Sequence, residues 1–401
     1  MAGILGNLIT EMKATIDKRT FVWYHNNMNK AIKYRVYPTS EQSVMFIRTF
    51  GCCRKVWNLM LSDKISHFQN TGKTLMTTPA QYKKEFPFLK EVDSLALANV
   101  QLNLQTAYKN CFDKSRRKRN NFPKFKSRKH FRNSYTTNNQ NGTVAIVDNN
   151  HIRLPKIGKV KAVIHRLPED DWIIKSATVS QERDGSFYIS VLFEFDRKII
   201  PVVMTDNVIG LDYKSDGLYM DSNGNIGSNH KFYKDSQEKL AKAQRKLSRM
   251  TGSKKNESKS RNYLKQLQRI NRIHRHISNQ RLDNLHKKST EIANQYDAVC
   301  VESLNMQSLS NKGFGNGKAI LDNGYGMFLN MLEYKLADRG KRLIRVDKWY
   351  PSTQICSRCG SRRKLLLSER VYRCCCGLSI DRDLNAAINI KEEGLRILNA
   401  S

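Results

Sequence analysis

The C-terminal part of the chain carries two kinds of side chain that bind metal ions. Two short cysteine groups, CSRCG at 356–360 and RCCCG at 373–377, are followed directly by Asp381 and Asp383 in the segment DRDLNAAINI. Cysteine thiolates hold structural zinc well, whereas carboxylates prefer magnesium or manganese. This combination predicts a zinc knuckle beside an acidic site that binds divalent cations.

The first cysteine group has the spacing of half a zinc ribbon, because Cys356 and Cys359 form a C-x-x-C-G motif. The second group lacks the outer cysteine of that spacing, as if one residue were missing. We expect Cys374 and Cys376 to complete a closed site of four thiolates, with Cys375 as the reserve ligand. A closed site of this kind predicts a structural Zn²⁺.

Two further carboxylates end short apolar stretches that predict buried strands. Asp212 ends IGLD and Glu302 ends AVCVE, and open α/β sheets place their sites at this carboxyl edge. With Asp381 or Asp383, these acids could hold two divalent cations about 3.5–4 Å apart, which suits phosphodiester cleavage. The alternative is that each acid is a solvated strand end or a helix cap, and Asp381 fits an N-cap position.

The overall charge points to a polyanionic partner. The 401 residues include 70 Lys and Arg against 36 Asp and Glu, which gives a formal net charge of +34. Binding a nucleic acid would release counterions, so we favour it over the alternative of an anionic membrane surface. The sequence contains no apolar run long enough to span a bilayer. Clustered cysteines without a secretory signal predict a reducing compartment. The expected location is the bacterial cytosol, in association with the nucleoid.

A second feature of the charge is the segment KSRRKRNNFPKFKSRKHFR at 114–132, which contains no acid and has three interleaved phenylalanines. Cations beside aromatic rings are typical of surfaces that pack on nucleotides. The alternative is a solvated linker. The nucleic-acid contacts predicted here are Lys114, Arg116, Arg117, Lys118, Arg119, Lys124, Lys126, Arg128, Lys129 and Arg132.

The N-terminal half predicts a β-rich domain interrupted by helices. Residues 31–37 alternate apolar and basic side chains and predict a strand. Thr39 and Gln42 fit a capping box for a helix from about 40 to 63, and 94–112 predicts a second helix. Asp184-Gly185 predicts a hairpin turn. Residues 28–37 and 125–200 should therefore form one β-barrel-like domain around a helical insertion.

The C-terminal half alternates strands and helices. Strands are predicted at 207–213 and 298–302. Two long basic helices, 232–250 and 261–295, should pair as an antiparallel hairpin because the link between them is short. A helix at 321–339 and the strand KRLIRVD precede the cysteines. These elements must position the acids.

Taken in order, the motifs resemble those of the TnpB family, transposon-encoded RNA-guided DNA nucleases related to miniature type V CRISPR effectors. YRVYPTSEQ and FGCCRKVWN resemble its opening strand and helix, and FPKFKSRKHFRNSYTTNN resembles its basic segment. IGLD, VESLNM, WYPSTQICSRCG and DRDLNAAINI resemble its three RuvC nuclease motifs and zinc ribbon. The resemblance extends from Met28 to about Ile390.

The resemblance implies an α+β multidomain fold. It comprises a wedge β-barrel with a helical recognition insertion, and a split RuvC-like, RNase H-type nuclease core with an inserted zinc ribbon. The implied domains are an N-terminal extension at 1–27, the wedge barrel at 28–40 and 125–205, the recognition domain at 41–124, the nuclease core at 206–350 and 379–401, and the ribbon at 351–378.

The resemblance also implies an activity and its ligands. Asp212, Glu302 and Asp383 match the catalytic acids, which would bind two Mg²⁺ ions, or Mn²⁺ in their place. Asp381 is then a neighbour, and Arg382 would contact the scissile strand. The expected partners are a guide RNA and double-stranded target DNA, cleaved beside a short DNA motif that the protein reads.

Several alternatives stay open at this stage. One is a guide-RNA-dependent repressor that binds DNA without cleavage, and another is an RNA-binding accessory factor. The sequence does not separate a transposon protein from a CRISPR effector, or a monomer from a homodimer. Two departures from the family pattern are Tyr-Lys-Ser after Asp212, where glycine is common, and the short spacing of the ribbon.

Overall fold

The structure is a computed structural model, and it divides into two units with separate cores. One unit runs from Asn26 to Arg197, and the other contains the chain from Lys198 onward. Within the part of the chain that is described, none of the helices is both long enough and apolar enough to cross a bilayer. The described residues are 24–113, 122–128, 132–199, 201–202, 206–228, 230–254, 257–309, 317–366 and 368–400.

The first unit is a sheet with helices packed on it. Its strands are β1 (Tyr24–Tyr37), β2 (Ser134–Asn138), β3 (Ala145–Asp148), β4 (His151–Leu154), β5 (Gly158–Val163), β6 (Ile173–Gln181) and β7 (Phe187–Ile199). The helices α1 (Ser40–Thr71) and α2 (Ser94–Phe112) lie between β1 and β2 in the chain. The strand order is β2-β6-β7-β1-β5-β4-β3. Among the described residues β2 and β3 are edges, so the expected barrel is an open half-barrel.

The local signals in this unit are confirmed. Thr39 and Gln42 form both hydrogen bonds of the capping box at the start of α1. The helix continues eight residues past the expected end at residue 63, until Gly72 adopts a left-handed conformation with φ of 68°. The hairpin between β6 and β7 turns at Gly185, whose φ is 86°.

The second unit is built on a five-stranded sheet. Its strands are β8 (Val208–Tyr213), β9 (Tyr219–Asp221), β10 (Ile226–Gly227), β11 (Ala298–Glu302) and β12 (Arg342–Val346), in the order β10-β9-β8-β11-β12. Strands β8, β11 and β12 are parallel. A separate hairpin pairs β13 (Val371–Arg373) with β14 (Ser379–Asp381).

The helices of this unit are α3 (Phe232–Ser248), α4 (Arg261–Gln295), α5 (Met306–Leu309), α6 (Gly317–Asn323), α7 (Tyr325–Ala337) and α8 (Arg382–Ala400). The antiparallel pairing of α3 with α4 is confirmed, because Gln266 bonds to Ala243 while Arg281 and Tyr233 share Asp322. The single helix expected at 321–339 is wrong. Gly324 adopts a left-handed φ of 71°, which separates α6 from α7.

The two faces of the five-stranded sheet bury different partners. Side chains alternate along a strand, so Ile209, Leu211, Val299 and Val301 share one face, where they pack with residues of α4 and α7. The opposite face presents Val208, Ala298 and Cys300, which pack with Ile390 of α8. Asp212 and Glu302 belong to this second face by the same alternation. Helix α8 therefore covers the face on which both acids lie.

Two glycines allow α8 to approach the sheet closely. A Cβ atom at Gly210 of β8 would lie 2.2 Å from the Ala387 carbonyl oxygen and 2.7 Å from the Lys391 nitrogen. A Cβ atom at Gly394 of α8 would lie 2.1 Å from the Cys300 sulfur. Only a residue without a side chain fits at either position, so these glycines set the depth at which α8 sits.

Gly210→Ala is expected to destabilise the second unit by about 3 kcal/mol, because the new methyl group meets helix backbone that can move only if α8 lifts. The measurement is the free energy of unfolding in urea. Gly51→Ala is the matched control, since Gly51 lies inside α1 with open space for 4 Å around the position that a Cβ would take. That control should gain up to about 1 kcal/mol. Equal effects of the two substitutions would contradict the close packing of α8.

Candidate active site and zinc knuckle

Strand register places Asp212 and Glu302 side by side. The parallel pairing of β8 with β11 runs from Val208 opposite Ala298 to Leu211 opposite Val301. The next residue on each strand is the acid, and neighbouring strands lie about 4.8 Å apart. Asp212 is buried and Glu302 is partly buried. Two carboxylates are thus held together at the carboxyl edge of the sheet.

The third acid comes from the start of α8. The backbone N–H groups of Asp383 and Leu384 donate to Asp381 Oδ1 at 2.9 and 3.1 Å, so the N-cap interpretation of Asp381 is confirmed. Asp383 lies in the first turn of the helix that covers the Asp212 face. Lys214 Nζ donates to Asp383 Oδ2 at 2.7 Å, and both side chains are 16% exposed.

The three acids interact electrostatically. Burial raises the pKa of Asp212 well above its usual value, and the charges of Glu302 and Asp383 raise it further. Arg382 and Lys214 oppose that shift. Burial also raises the pKa of Glu302. Buried carboxylates that repel one another in this way suit a divalent cation, which would relieve the repulsion.

A cleft of about 520 Å³ opens beside Asp383. Lys214, Arg370 and Arg382 contribute positive charge to its lining, alongside Asp216 and Asp381. Arg382 also ties the helix start to the ribbon, since its Nη1 donates to the Glu369 carbonyl oxygen at 3.0 Å. The mixture of acids and cations suits a phosphate-bearing ligand.

The predicted zinc knuckle brings four sulfurs together. The Sγ atoms of Cys356, Cys359, Cys374 and Cys376 all lie within 4.8 Å of one another. Cys356 and Cys376 are 3.7 Å apart, and Cys359 and Cys374 are 3.5 Å apart. Tetrahedral zinc with bonds of about 2.3 Å places its sulfurs about 3.8 Å apart. Within the described ranges, no other set of His, Cys, Asp or Glu side chains is this compact, and the three carboxylates are more widely spaced.

Both halves of the knuckle turn at a glycine, Gly360 with φ of 75° and Gly377 with φ of 83°. The pKa of Cys374 is lowered to about 5, because its sulfur accepts hydrogen bonds from the Cys376 N–H and the Ser361 hydroxyl. A thiolate is the form that binds zinc. Cys375 is exposed and lies outside the four-sulfur group.

Two buried asparagines of α8 join the knuckle to the acids. Asn385 donates to the Ile355 carbonyl oxygen at 2.7 Å and accepts from the Ser357 N–H at 3.0 Å. Asn389 donates to the carbonyl oxygens of Ser352 and Ile355, each at 2.7 Å. Ser352 is buried, and its hydroxyl donates to Glu302 Oε1 at 3.2 Å. One hydrogen-bonded chain therefore runs from α8 through the loop before Cys356 to Glu302.

The predicted basic contacts fall partly outside the described residues. Six of them lie outside the described residues, namely Lys114, Arg116, Arg117, Lys118, Arg119 and Lys129. Lys124, Arg128 and Arg132 are exposed in the described part of the segment. Lys126 instead covers Trp57, with Nζ 3.7 Å from the ring centre, and burial lowers its pKa.

The described part of the basic segment borders a cavity in the first unit. Asn58 of α1 bonds to both the N–H and the carbonyl of Lys126, which fixes the segment against the helix. The cavity measures about 500 Å³, and its lining includes Asn99, Asn103, Lys124, Phe125 and Arg132. Cationic and amide groups beside an exposed phenylalanine suit a nucleotide.

Arg132→Ala is expected to weaken nucleic-acid binding. The plot of log association constant against log salt concentration should also become shallower by about 0.7 to 0.9 in slope, because one phosphate contact is lost. The measurement is the affinity for labelled RNA and DNA across a series of salt concentrations. Lys109→Ala is the matched control, because it removes one exposed charge of the same unit outside the cavity lining. An unchanged slope for Arg132→Ala would exclude a phosphate contact there.

Sequence reasoning missed Lys214, Ser352, Asn385 and Asn389. Lys214 stood out only as part of the Tyr-Lys-Ser departure after Asp212. The two asparagines are four residues apart and so share one helix face, and that spacing in NAAIN was an available signal. Nothing local marked Ser352, because its partner Glu302 is 50 residues away in the chain.

Comparison with protein families gives three matches along the chain. The descriptions are "Helix-turn-helix domain" for residues 28–73, "Probable transposase" for 182–312 and "Cas12f1-like, TNB domain" for 325–390. In this structure, residues 28–73 form most of β1 and the single helix α1 rather than two helices. The third match contains the four-cysteine cluster and Asp383.

Two relatives match over almost the whole chain. A Streptomyces pristinaespiralis protein named "Putative RNA-guided DNA endonuclease" is 34% identical over 382 residues, which cover 92% of this chain and 90% of that protein. An Escherichia coli K12 protein named "Putative RNA-guided DNA endonuclease InsQ" is 29% identical, over 92% of this chain and 93% of that protein.

A solved structure supports the fold. The protein in "Cryo-EM structure of the Cas12f1-sgRNA-target DNA complex" aligns with a TM-score of 0.57 at 12% identity, over 91% of this chain and 99% of that chain. At this identity the likeness concerns the fold alone. The nearly full-length match to the Streptomyces relative and the family matches agree with the order of the motifs, and the chain belongs to the TnpB family.

Proposed function

We propose that this protein is an RNA-guided DNA endonuclease. It binds a guide RNA, recognises a short motif beside the target, and cleaves DNA phosphodiester bonds by two-metal RuvC chemistry. The names of the full-length relatives support this proposal. The observation that carries it is the parallel register that sets Asp212 beside Glu302, on the face covered by the helix that holds Asp383.

In this proposal Asp212, Glu302 and Asp383 hold two Mg²⁺ ions, or Mn²⁺ in their place. Such a pair activates water and stabilises charge on the attacking and leaving oxygens. Asp212 is buried, so solvent screens its charge little. Ser352 orients Glu302, and Asp381 fixes the helix turn that carries Asp383. Cys356, Cys359, Cys374 and Cys376 hold a structural Zn²⁺.

The cations of the cleft serve the substrate. Lys214 and Arg370 line the cleft beside Asp383, where they can bind phosphates next to the scissile bond. Arg382, which also lines the cleft, contacts the scissile strand while tethering the ribbon. Positive groups aimed at phosphate oxygens favour the charge that develops during cleavage.

The two units take separate tasks in this proposal. The half-barrel and its helices, 28–40, 41–124 and 125–205, form the wedge and recognition domains that bind the guide RNA and the adjacent DNA motif. Residues 206–350 and 379–401 form the RuvC-like core, with the ribbon at 351–378 inserted. The basic cavity at Arg132 and the cleft at Asp383 are then the two nucleic-acid surfaces.

The test begins with the RNA that co-purifies with the protein. A discrete structured RNA ending in a variable segment is expected, and a random mixture would contradict guiding. The purified complex should then cut a plasmid that matches the variable segment when Mg²⁺ is present. A target that is bound tightly and never nicked would contradict cleavage and indicate a guided repressor.

A further inference from the structure

Trp349 is an exposed aromatic side chain in the loop that follows β12. Strand β12 ends at Val346, which pairs with Glu302 of β11. The chain therefore leaves the sheet beside Glu302, and Trp349 follows three residues later. Its indole is 79% exposed, the largest exposed fraction among the large hydrophobic side chains of the described residues.

The backbone around Trp349 is held in place. The Trp349 N–H donates to Asp347 Oδ1 at 2.8 Å, and the Tyr350 N–H donates to the Asp347 carbonyl oxygen at 3.1 Å. Tyr350 packs against the core beneath α8. Ser352 is buried and bonds to Glu302. An apolar ring of this size, fixed on an anchored turn and left in water, has the properties of a binding group.

The distance to the acids is short along the chain. Trp349 is three residues from Val346 and three from Ser352, and both of these adjoin Glu302. Three residues span at most about 11 Å. Stacked nucleotides are spaced about 3.4 Å apart on one strand. A base on the indole would therefore lie within a few nucleotides of the bond being cut.

The neighbouring Lys348 places a positive charge beside the Trp349 ring. Lys348 Nζ lies 4.6 Å from the centre of the Trp349 ring, and Lys348 is itself exposed. An aromatic face beside a cation is the pair that binds unpaired nucleic acid, because the ring stacks on a base while the ammonium contacts phosphate. A double helix hides the faces of its bases, so this pair selects a single strand.

We infer that Trp349, with Lys348, is a stacking platform for an unpaired nucleobase of the DNA strand entering the active site. The inference rests on the proposed function and deepens it, since it names an unpaired strand as the form of DNA that the site receives. Trp349 is a positioning residue that sets where the strand lies relative to the three acids. Stacking tolerates any base, so the platform adds affinity without sequence preference.

The test uses the full-length protein with the Asp212→Asn substitution, so that bound DNA is not cut. Oligothymidylate is added while tryptophan fluorescence and the anisotropy of a labelled strand are recorded. Of the other three tryptophans, Trp57 and Trp172 are buried and Trp23 lies outside the described residues. Stacking should quench Trp349, and Trp349→Phe identifies the quenched ring because it should remove that quenching. Trp349→Ala is expected to weaken single-strand binding by about 5- to 150-fold, whereas Trp349→Phe retains most of it.

Tyr334→Ala is the matched control, because Tyr334 is an exposed aromatic residue of α7, in the same unit. It should bind the oligonucleotide like the parent. Absence of quenching, or Trp349→Ala binding within about twofold of the parent, would overturn the inference.

The inference and the proposed function fail separately. If the complex cuts guided DNA but shows no quenching, the proposed function stands and the stacking platform is refuted. If oligothymidylate quenches Trp349 but the protein cuts no DNA, the stacking platform stands and the proposed nuclease function is refuted. In the active complex, Trp349→Ala should slow target cleavage while leaving guide-RNA binding unchanged.

Discussion

Asp212→Asn is expected to abolish DNA cleavage and, at the same time, to stabilise the metal-free protein. The amide cannot replace a charged metal ligand, so cleavage should fall about 1,000-fold or more. The same substitution removes a buried charge that faces Glu302 and Asp383. We expect the free energy of unfolding without divalent cations to rise by about 2 kcal/mol.

The pH dependence gives a sharper form of this prediction. Asp212 has a raised pKa in the folded state. At pH values between the unfolded and the folded pKa, the folded protein therefore holds a proton on Asp212 that the unfolded chain has lost. Its contribution to stability therefore falls as pH rises from about 4, the unfolded value, through the folded pKa. The gain from Asp212→Asn should be small at low pH and largest above the folded pKa. Unfolding in urea at a series of pH values measures it.

Asp221→Asn is the matched control for this experiment. Asp221 is a buried acid of the same sheet, but its carboxylate accepts hydrogen bonds from the backbone of Asn223 and Asn225 and from the Asn225 amide. Its loss should destabilise the fold. Adding Mg²⁺ should stabilise the parent protein and not Asp212→Asn. Cleavage by Asp212→Asn at the parent rate would refute the assignment of the site.

Cys356→Ser is expected to remove the bound zinc and to reduce cleavage by about 10- to 100-fold, although Cys356 touches neither DNA nor an acid in this proposal. The reason is the hydrogen-bonded chain. Loss of the metal frees the loop before Cys356, and with it Ser352, the partner of Glu302. Zinc content by mass spectrometry of metals and plasmid cleavage are measured on the same preparation.

Cys375→Ser is the matched control, since it alters a neighbouring cysteine outside the four-sulfur group. It should keep its zinc and its activity. Zinc retained by Cys356→Ser would contradict the four-thiolate site. If Cys375→Ser loses its zinc and Cys374→Ser keeps it, then Cys375 rather than Cys374 is the fourth ligand, and the four-thiolate site still stands.

The features that the sequence predicts well are local ones. Strand β11 at 298–302 follows from an apolar run, and the cap of α1 follows from the spacing of Thr39 and Gln42. The N-cap role of Asp381 also follows from its place before a helix. In each case the residues that interact are neighbours in the chain, so their types are enough to predict the contact.

The features that the sequence did not predict depend on distant partners or on one backbone angle. Lys214 and Asp383 are 169 residues apart in the chain, and Asn389 and Ser352 are 37 apart. Their contacts exist only because α8 docks on β8. The break between α6 and α7 depends on the conformation of Gly324, within a segment whose apolar pattern continues across it.

The alternation of side chains along β8 limits which length changes the strand can tolerate. Gly210 and Asp212 lie on the same face of β8. A shift in the register of this strand would therefore displace both the contact of Gly210 with α8 and the carboxylate of Asp212. Insertion of a single residue before them would turn both to the opposite side of the sheet, against α4 and α7. Natural variation in this strand should therefore conserve its length more strictly than the identity of its apolar residues, and a one-codon insertion there should abolish the proposed cleavage although every acid is intact.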